Sequence, residues 1–344
     1  MRLTFIGYSN NGLGNQFYSL QLLAGFAGLF KNDQIDLVWN DNGQSIQNPQ
    51  TEDINNTDVS KLNSILDSSN PSLFDLVDFS YDNVVIHPND LYIKDRLNVN
   101  MVNTQHHFMN CTEDETNIDI FASGKKQFKI NDELDNILTL TLIPYSRFFF
   151  NRTIEMDESI SRLKFKQPYV ELADKVSKSL GRYNGTHIRI MYDHHQYYKF
   201  TKENFDAGIE KFNDKSLPII CSVDNFDNPI LSNSDYNLIS LENVILENFA
   251  EDFKALPFHN EIVLALISML VMVKSEDFVA TPRSTFGNMI FQLRNNIIDE
   301  SYKYYPGSGS PFDVYDKDYK PYSWSKNAQG ITWERDWVES KLRV

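Results

Sequence analysis

The sequence predicts an α/β protein built as two Rossmann-like halves. Short apolar runs alternate with stretches of helical periodicity in both halves, and a glycine-bearing turn joins the first apolar run to the first helical one. The length, 344 residues, is about that of two ordinary domains.

Residues 3–7, Leu-Thr-Phe-Ile-Gly, read as a first strand. Residues 15–30 then set Phe17, Leu20, Leu23, Ala24 and Ala27 at helical spacing. A second strand is expected over 35–39. It is followed over 40–60 by a stretch rich in Asn, Asp, Gln and Ser, the composition of a surface loop or lid. A short helix at 61–66 and a strand at 84–87 continue the alternation, while 89–157 shows no firm pattern.

In the second half, 186–190, 218–223, 237–241 and 278–280 read as strands, and 202–212, 260–274 and 286–294 as helices. The last of these carries Met289, Ile290 and Leu293 on one face. Such alternation implies a parallel sheet covered on both sides. The boundary is expected between 164 and 169, giving an N-terminal half of 1–166 and a C-terminal half of 167–344. From 301 onward Tyr, Pro, Gly and Trp without a long period read as a wrap over the second half.

Composition narrows the function. With 47 acidic against 32 basic residues the formal net charge is −15, which disfavours a general nucleic-acid or anionic-membrane binder. Any anionic ligand must meet a local cluster of positive charge. Two cysteines, Cys111 and Cys221, make neither a disulfide framework nor a Cys-rich metal site. Cys221 lies in an apolar strand and reads as packing. The opening residues lack a signal-peptide core, and the apolar run at 262–273 falls short of the roughly 20 residues of a membrane span. A soluble, cytoplasmic protein is the expectation. Four glycosylation sequons, at Asn55, Asn110, Asn151 and Asn184, are no more than an Asn-rich chain produces by chance.

Four places can carry chemistry. Asn11-Gly12-Leu13-Gly14-Asn15-Gln16 stands between strand and helix, where free N–H groups can meet an anion. It matches neither the dinucleotide fingerprint nor a P-loop, and it reads equally as a tight turn with Asn15 capping the helix. The strand containing His187 ends near Arg189, with Asp193, His194 and His195 beyond. A guanidinium at the carboxyl edge of a parallel sheet suits a diphosphate, although Arg189 and Asp193 also suit a structural ion pair. Adjacent histidines diverge, so a zinc pair at 194–195 is not expected.

Thr281-Pro282-Arg283-Ser284-Thr285-Phe286 ends a strand and opens a helix, gathering hydroxyls, N–H groups and a positive charge. Helix capping alone also explains it. Asp224, at the end of the 218–223 strand, can hold a ribose hydroxyl or a purine edge, or cap a turn. Asp316-Lys317-Asp318 follows no apolar strand and reads as solvated rather than as a metal-binding Asp-x-Asp.

Three of these motifs in order, Gly12-Leu13-Gly14-Asn15-Gln16, His187-Ile188-Arg189-Ile190 with Asp193, and Ser284-Thr285-Phe286, resemble the fucosyltransferases. That group includes the protein O-fucosyltransferases and the α1,2- and α1,6-fucosyltransferases. The resemblance runs from residue 12 to about 294 and implies a GT-B fold, two Rossmann-like domains facing a central cleft. It further implies an inverting transfer from GDP-fucose without a metal or other cofactor; because the chain shows neither the signal peptide nor the disulfides of the secretory members, the expected acceptor is a hydroxyl of a glycan, polysaccharide or glycolipid precursor. By the same resemblance Arg189 meets the β-phosphate, and Ser284, Thr285 and Phe286 cradle the diphosphate beside Arg283 and Gly14. His187 and Asp224 lie near the nucleoside, and Asn15 lies near the anomeric carbon. Asp193 is the base candidate. Met191 and Tyr192 replace the small residues often found after the Arg. Another nucleotide sugar such as a rhamnose donor, a protein Ser/Thr acceptor, or a non-catalytic binding role are the alternatives.

Overall fold

The computed structural model describes residues 2–8, 12–29, 31–40, 71–88, 137–141, 154–190, 200–223, 226–281 and 284–295. The chain divides into two compact units: the described residues up to 40 and from 72 to 164 fall in the first, and Pro71 with those from 165 onward in the second. Each contains one four-stranded parallel sheet.

In the first unit, β1 (Arg2–Tyr8), β2 (Gln34–Asn40), β4 (Val84–Pro88) and β5 (Ile137–Thr141) lie in the order β4-β2-β1-β5. Strands β1, β2 and β4 fall where the apolar runs predict them, and β5 lies inside the stretch that shows no firm pattern. Ile35, Leu37 and Trp39 alternate along β2 and are fully buried, as period-two spacing demands of a covered sheet face. Asp36, between them, is buried on the opposite side. A two-residue strand, β3 (Val77–Asp78), pairs with β6 (Lys164–Phe165), where the chain leaves this unit.

The helix Leu13–Leu29 contains no charged residue. It buries not only Phe17, Leu20, Leu23, Ala24 and Ala27 but also Leu13, Tyr18, Gln16, Ser19 and Gln21, so more than one side is enclosed. It packs on the helix Ile154–Arg162, where a Cβ added at Gly28 would fall 2.2 Å from Glu155 Cδ. A larger residue at 28 would displace the end of the flexible Glu155 side chain.

The second unit orders β7 (Asn184–Ile188), β8 (Ile219–Val223), β9 (Leu238–Ser240) and β10 (Phe278–Ala280) as β10-β7-β8-β9. Strand pairing places His187 beside Ser222 on one side and Ala280 on the other. One face carries Ile188, Ile219, Cys221 and Val279 into a core with Phe200, Phe205, Ile209 and Phe212. Cys221 is a free, fully buried thiol whose pKa is raised by burial, as its packing role requires.

The opposite face lies under the helix Glu261–Val273, ten of whose thirteen residues are buried. Asn260 caps it, its side chain accepting from the N–H groups of Ile262 and Val263 at 3.1 Å each. Arg294 ties down the other end through carbonyls of Met272, Val273, Ser275 and Glu276. Contact is close enough that a Cβ at Gly185 would stand 2.8 Å from Ser275 Oγ and 2.9 Å from Met272 Sδ. The helix Gln167–Leu180 is not among the elements predicted, although Tyr169, Leu172, Ala173 and Val176 are its buried residues at ideal spacing.

Among the described residues no helix is long and apolar enough to cross a membrane.

Candidate functional site

Strand β7 ends at Ile188, so Arg189 stands one residue beyond it rather than within it. Two hydrogen bonds fix that exit. Thr281 N–H donates to the His187 carbonyl at 2.8 Å, and Arg189 N–H donates to Thr281 Oγ1 at 2.9 Å. Thr281 is fully buried and follows β10, so the neighbouring strand clamps the Arg189 backbone.

The chain returns to the same place three residues later. Ser284 N–H donates to the Thr281 carbonyl at 3.3 Å, and the Ser284 carbonyl accepts from Asn288 N–H at 2.9 Å to begin the helix Thr285–Asn295. The Ser284 hydroxyl accepts from Gly287 N–H at 3.2 Å, the N-cap bond that the Ser-Thr pair predicts. It also meets His187 Nε2 at 2.9 Å. Both side chains are buried, and the Phe286 ring lies 4.8 Å from the imidazole.

A hydroxyl has one proton to donate. Gly287 N–H takes one lone pair of that hydroxyl, and His187 Nε2 takes either its proton or the other lone pair. Capping and site-building are therefore one device, since the hydroxyl docks the helix start onto β7. What the turn offers outward are the first-turn N–H groups of Thr285 and Phe286, which the helix cannot satisfy internally, and the half-buried Thr285 side chain. Asn288 and Gln292 continue inward as a buried, hydrogen-bonded polar pair on the same helix.

Four predicted site residues, His187, Arg189, Ser284 and Phe286, thus meet at the carboxyl edge of the second sheet, with Thr285 beside them. Asn15 and Gly14 belong to the first unit. There the Gly12 carbonyl accepts from Asn15 N–H at 2.8 Å and from Gln16 N–H at 3.2 Å, so the helix begins at Leu13. Asn15 is accordingly a first-turn residue and not the cap. Asp193, Asp224 and Arg283 lie outside the described residues, as does the Asp316-Lys317-Asp318 segment.

Two polar groups are absent from the sequence-based set. In the first unit His87 Nε2 stands 2.8 Å from Oδ1 of buried Asp36, which also accepts from Gln34 Nε2 at 3.1 Å. In the second unit Glu242 opens the helix Leu241–Asn248 directly after β9. Its Oε1 accepts from Ser222 Oγ at 2.8 Å and from Ser268 Oγ at 3.2 Å. Burial pushes its pKa up to about 7, against the opposing pull of its own N–H, the two serines and Val223 N–H. No local sequence signal marks Glu242, because its partners Ser222 and Ser268 lie 20 and 26 positions away.

Among the described residues no group of three or more His, Cys, Asp or Glu side chains is placed to hold a metal ion.

No family model matches the chain. No curated protein matches it either. Its fold resembles solved fucosyltransferase structures. The α-1,6-fucosyltransferase NodZ, solved from Bradyrhizobium and also after soaking with GDP-fucose, is 12% identical over 87% of this chain and 93% of its own, with a TM-score of 0.49. POFUT1 in complex with GDP is 10% identical over 86% of this chain and 95% of its own, with a TM-score of 0.45. A mutant of Arabidopsis thaliana FUT1 in complex with GDP is 12% identical over 85% of this chain and 68% of its own, with a TM-score of 0.43.

Proposed function

We propose that the protein is a glycosyltransferase that transfers fucose from GDP-fucose to a glycan hydroxyl. The observation that carries this reading is the His187 to Ser284 hydrogen bond, which ties together two of the motifs that resemble the fucosyltransferases beside Arg189. The first-turn N–H groups of Thr285 and Phe286 and the Arg189 guanidinium supply directed positive charge at one sheet edge, the complement of a diphosphate.

In the reaction an acceptor oxygen attacks C1 of the sugar as the bond from C1 to the β-phosphate oxygen breaks. GDP leaves with that bonding pair, and the hydroxyl proton passes to a base. Arg189 and the helix-start N–H groups stabilise the charge that develops on the leaving diphosphate, which is where preorganised donors contribute most. Asn15 serves the acceptor side and Asp193 is the base candidate. Asp224, Arg283 and Gly14 complete the donor-binding set. Inversion at C1, the absence of a metal requirement and the two-domain GT-B architecture belong to this reading and rest on the motif resemblance.

The test is GDP release from GDP-fucose by the purified full chain, with calorimetric GDP binding beside it, against a panel of other nucleotide sugars. GDP release with GDP-fucose preferred supports the reading. Preference for a different sugar nucleotide reassigns the donor, and GDP binding without turnover of any donor makes the protein a binding module.

A further inference from the structure

Thr281 is fully buried and so is no ligand group itself, yet both halves of the anion site start from it. The pairing of β7 with β10 shows how. The ladder runs through alternate residues, with Gly185 N–H donating to the Asp277 carbonyl and Thr281 N–H to the His187 carbonyl, at 2.8 Å each. The next bond of that series would take Arg189 N–H to the Thr281 carbonyl. Instead Arg189 N–H donates to Thr281 Oγ1 at 2.9 Å, and the carbonyl turns away to accept from Ser284 N–H at 3.3 Å.

A side-chain oxygen thus stands in for a backbone one. The regular ladder stops at Ile188, but the peptide that enters Arg189 stays fastened to the neighbouring chain. The exchange also frees the carbonyl for the turn that leads to Thr285 and Phe286, whose first-turn N–H groups are the other half of the site. One residue therefore sets the origin of both donor groups. A residue without the hydroxyl would leave the Arg189 N–H without its acceptor, and the exit from β7 would be free to swing.

We propose that Thr281 is a positioning residue for transfer, its hydroxyl fixing the place from which Arg189 reaches the donor diphosphate. The inference rests on the donor-binding reading above and adds the group that aims the Arg. Oriented donors help only where their spacing matches the oxygens they meet, and a misplacement of about 1 Å can cost about 10²-fold in rate.

The experiment measures GDP release from GDP-fucose by the full chain in four variants. Thr281→Val keeps the β-branched shape without the hydroxyl, Thr281→Ser keeps the hydroxyl, and Arg189→Ala is made alone and combined with Thr281→Val. Thr281→Val should lower kcat by about 10- to 100-fold. Thr281→Ser should stay within about 3-fold of wild type, because the acceptor oxygen remains. Added to Arg189→Ala, Thr281→Val should lower kcat by less than about 2-fold more, since a group that acts through Arg189 has nothing left to position. The full loss on that background would make the hydroxyl a support of the fold alone and overturn the inference, as would wild-type turnover in Thr281→Val.

Backbone hydrogen exchange at Arg189 needs no variant to fold. In the wild type its amide should exchange as slowly as those within β7, and exchange at the rate of an open loop also overturns the inference. A wild type that neither binds GDP nor turns over any sugar nucleotide defeats the donor reading and this role with it. GDP release with independent losses at 189 and 281 defeats only the role of Thr281.

Discussion

The two units repeat one architecture, a four-stranded parallel sheet, and differ in how the carboxyl edge is finished. In the second unit Thr281, Ser284 and His187 cross-link neighbouring elements, so Arg189 leaves β7 from a clamped backbone. In the first, the helix start at Leu13 is held by the Gly12 carbonyl, and the described polar pair, Asp36 with His87, lies within the sheet. Rigid bracing around an Arg is what an anion site needs, because donors that are already oriented lose little on binding. On the proposed reading, phosphate chemistry belongs to the second unit and the acceptor side to the first.

The largest expected effect tests that division directly. Arg189→Ala should lower kcat for GDP release by roughly 10²–10³, with the circular-dichroism spectrum unchanged. Arg189→Lys should recover only part of this, since an ammonium lacks the planar fork. Asn15→Ala should lower turnover while leaving the GDP dissociation constant as in wild type. Loss of GDP affinity in Asn15→Ala, with Arg189→Ala binding GDP normally, would reverse the assignment of the two units.

Second in size is a pH effect confined to the second unit. The folded-state pKa of Glu242 is raised, so the folded protein holds a proton that the unfolded chain releases near its ordinary value of 4.5. The native state therefore binds more protons between those values, and stability falls as pH rises from about 4.5 through about 7. The total is about 3 kcal/mol, at 1.36 kcal/mol per pKa unit. Urea midpoints at pH 5 and pH 8 should differ in wild type and converge in Glu242→Gln. An unchanged slope in the variant would mean that other groups set the dependence.

How much of this is legible in the sequence follows from what each signal depends on. Strands β1, β2, β4, β8, β9 and β10 are local apolar runs, β7 is marked by the alternation Thr-His-Ile-Arg-Ile at its end, and the helix Glu261–Val273 is apolar over most of its surface, so all are visible without tertiary knowledge. β5 is Ile-Leu-Thr-Leu-Thr, a pattern as regular as theirs and framed by Asp135-Asn136 and Pro144, so the same local rules apply to it although the reading of 89–157 passes over it. The Ser284 turn is legible as a cap because capping is local. Its bond to His187 spans 97 positions and depends on β10 lying beside β7. Glu242 is the extreme case. One acid in an acidic chain says nothing until the fold brings Ser222 and Ser268 to it.

Gly185 sharpens the contrast within the second sheet. Its face is covered so closely that an added methyl would overlap Ser275 and Met272, in the segment that Arg294 pins. Those neighbours cannot retreat cheaply, so Gly185→Ala should cost about 2–3 kcal/mol in urea unfolding. Gly12, with nothing near its Cβ position, should tolerate Ala with little change.

Ser284→Ala is the smallest change and the most discriminating for the site. If the hydroxyl bound phosphate itself, its loss would weaken GDP as much as the loss of any direct donor. The geometry instead has it accepting from Gly287 and meeting His187, so the variant should lose a cap, about 1–2 kcal/mol of stability. GDP affinity should fall only a few-fold, through loosening of the Thr285 and Phe286 N–H groups. Ser284→Thr, which keeps an oxygen at the cap, should restore most of the stability and nearly all of the affinity. A large affinity loss in Ser284→Ala at unchanged stability would instead make the hydroxyl a ligand group, and the cross-link between β7 and the last helix incidental to binding.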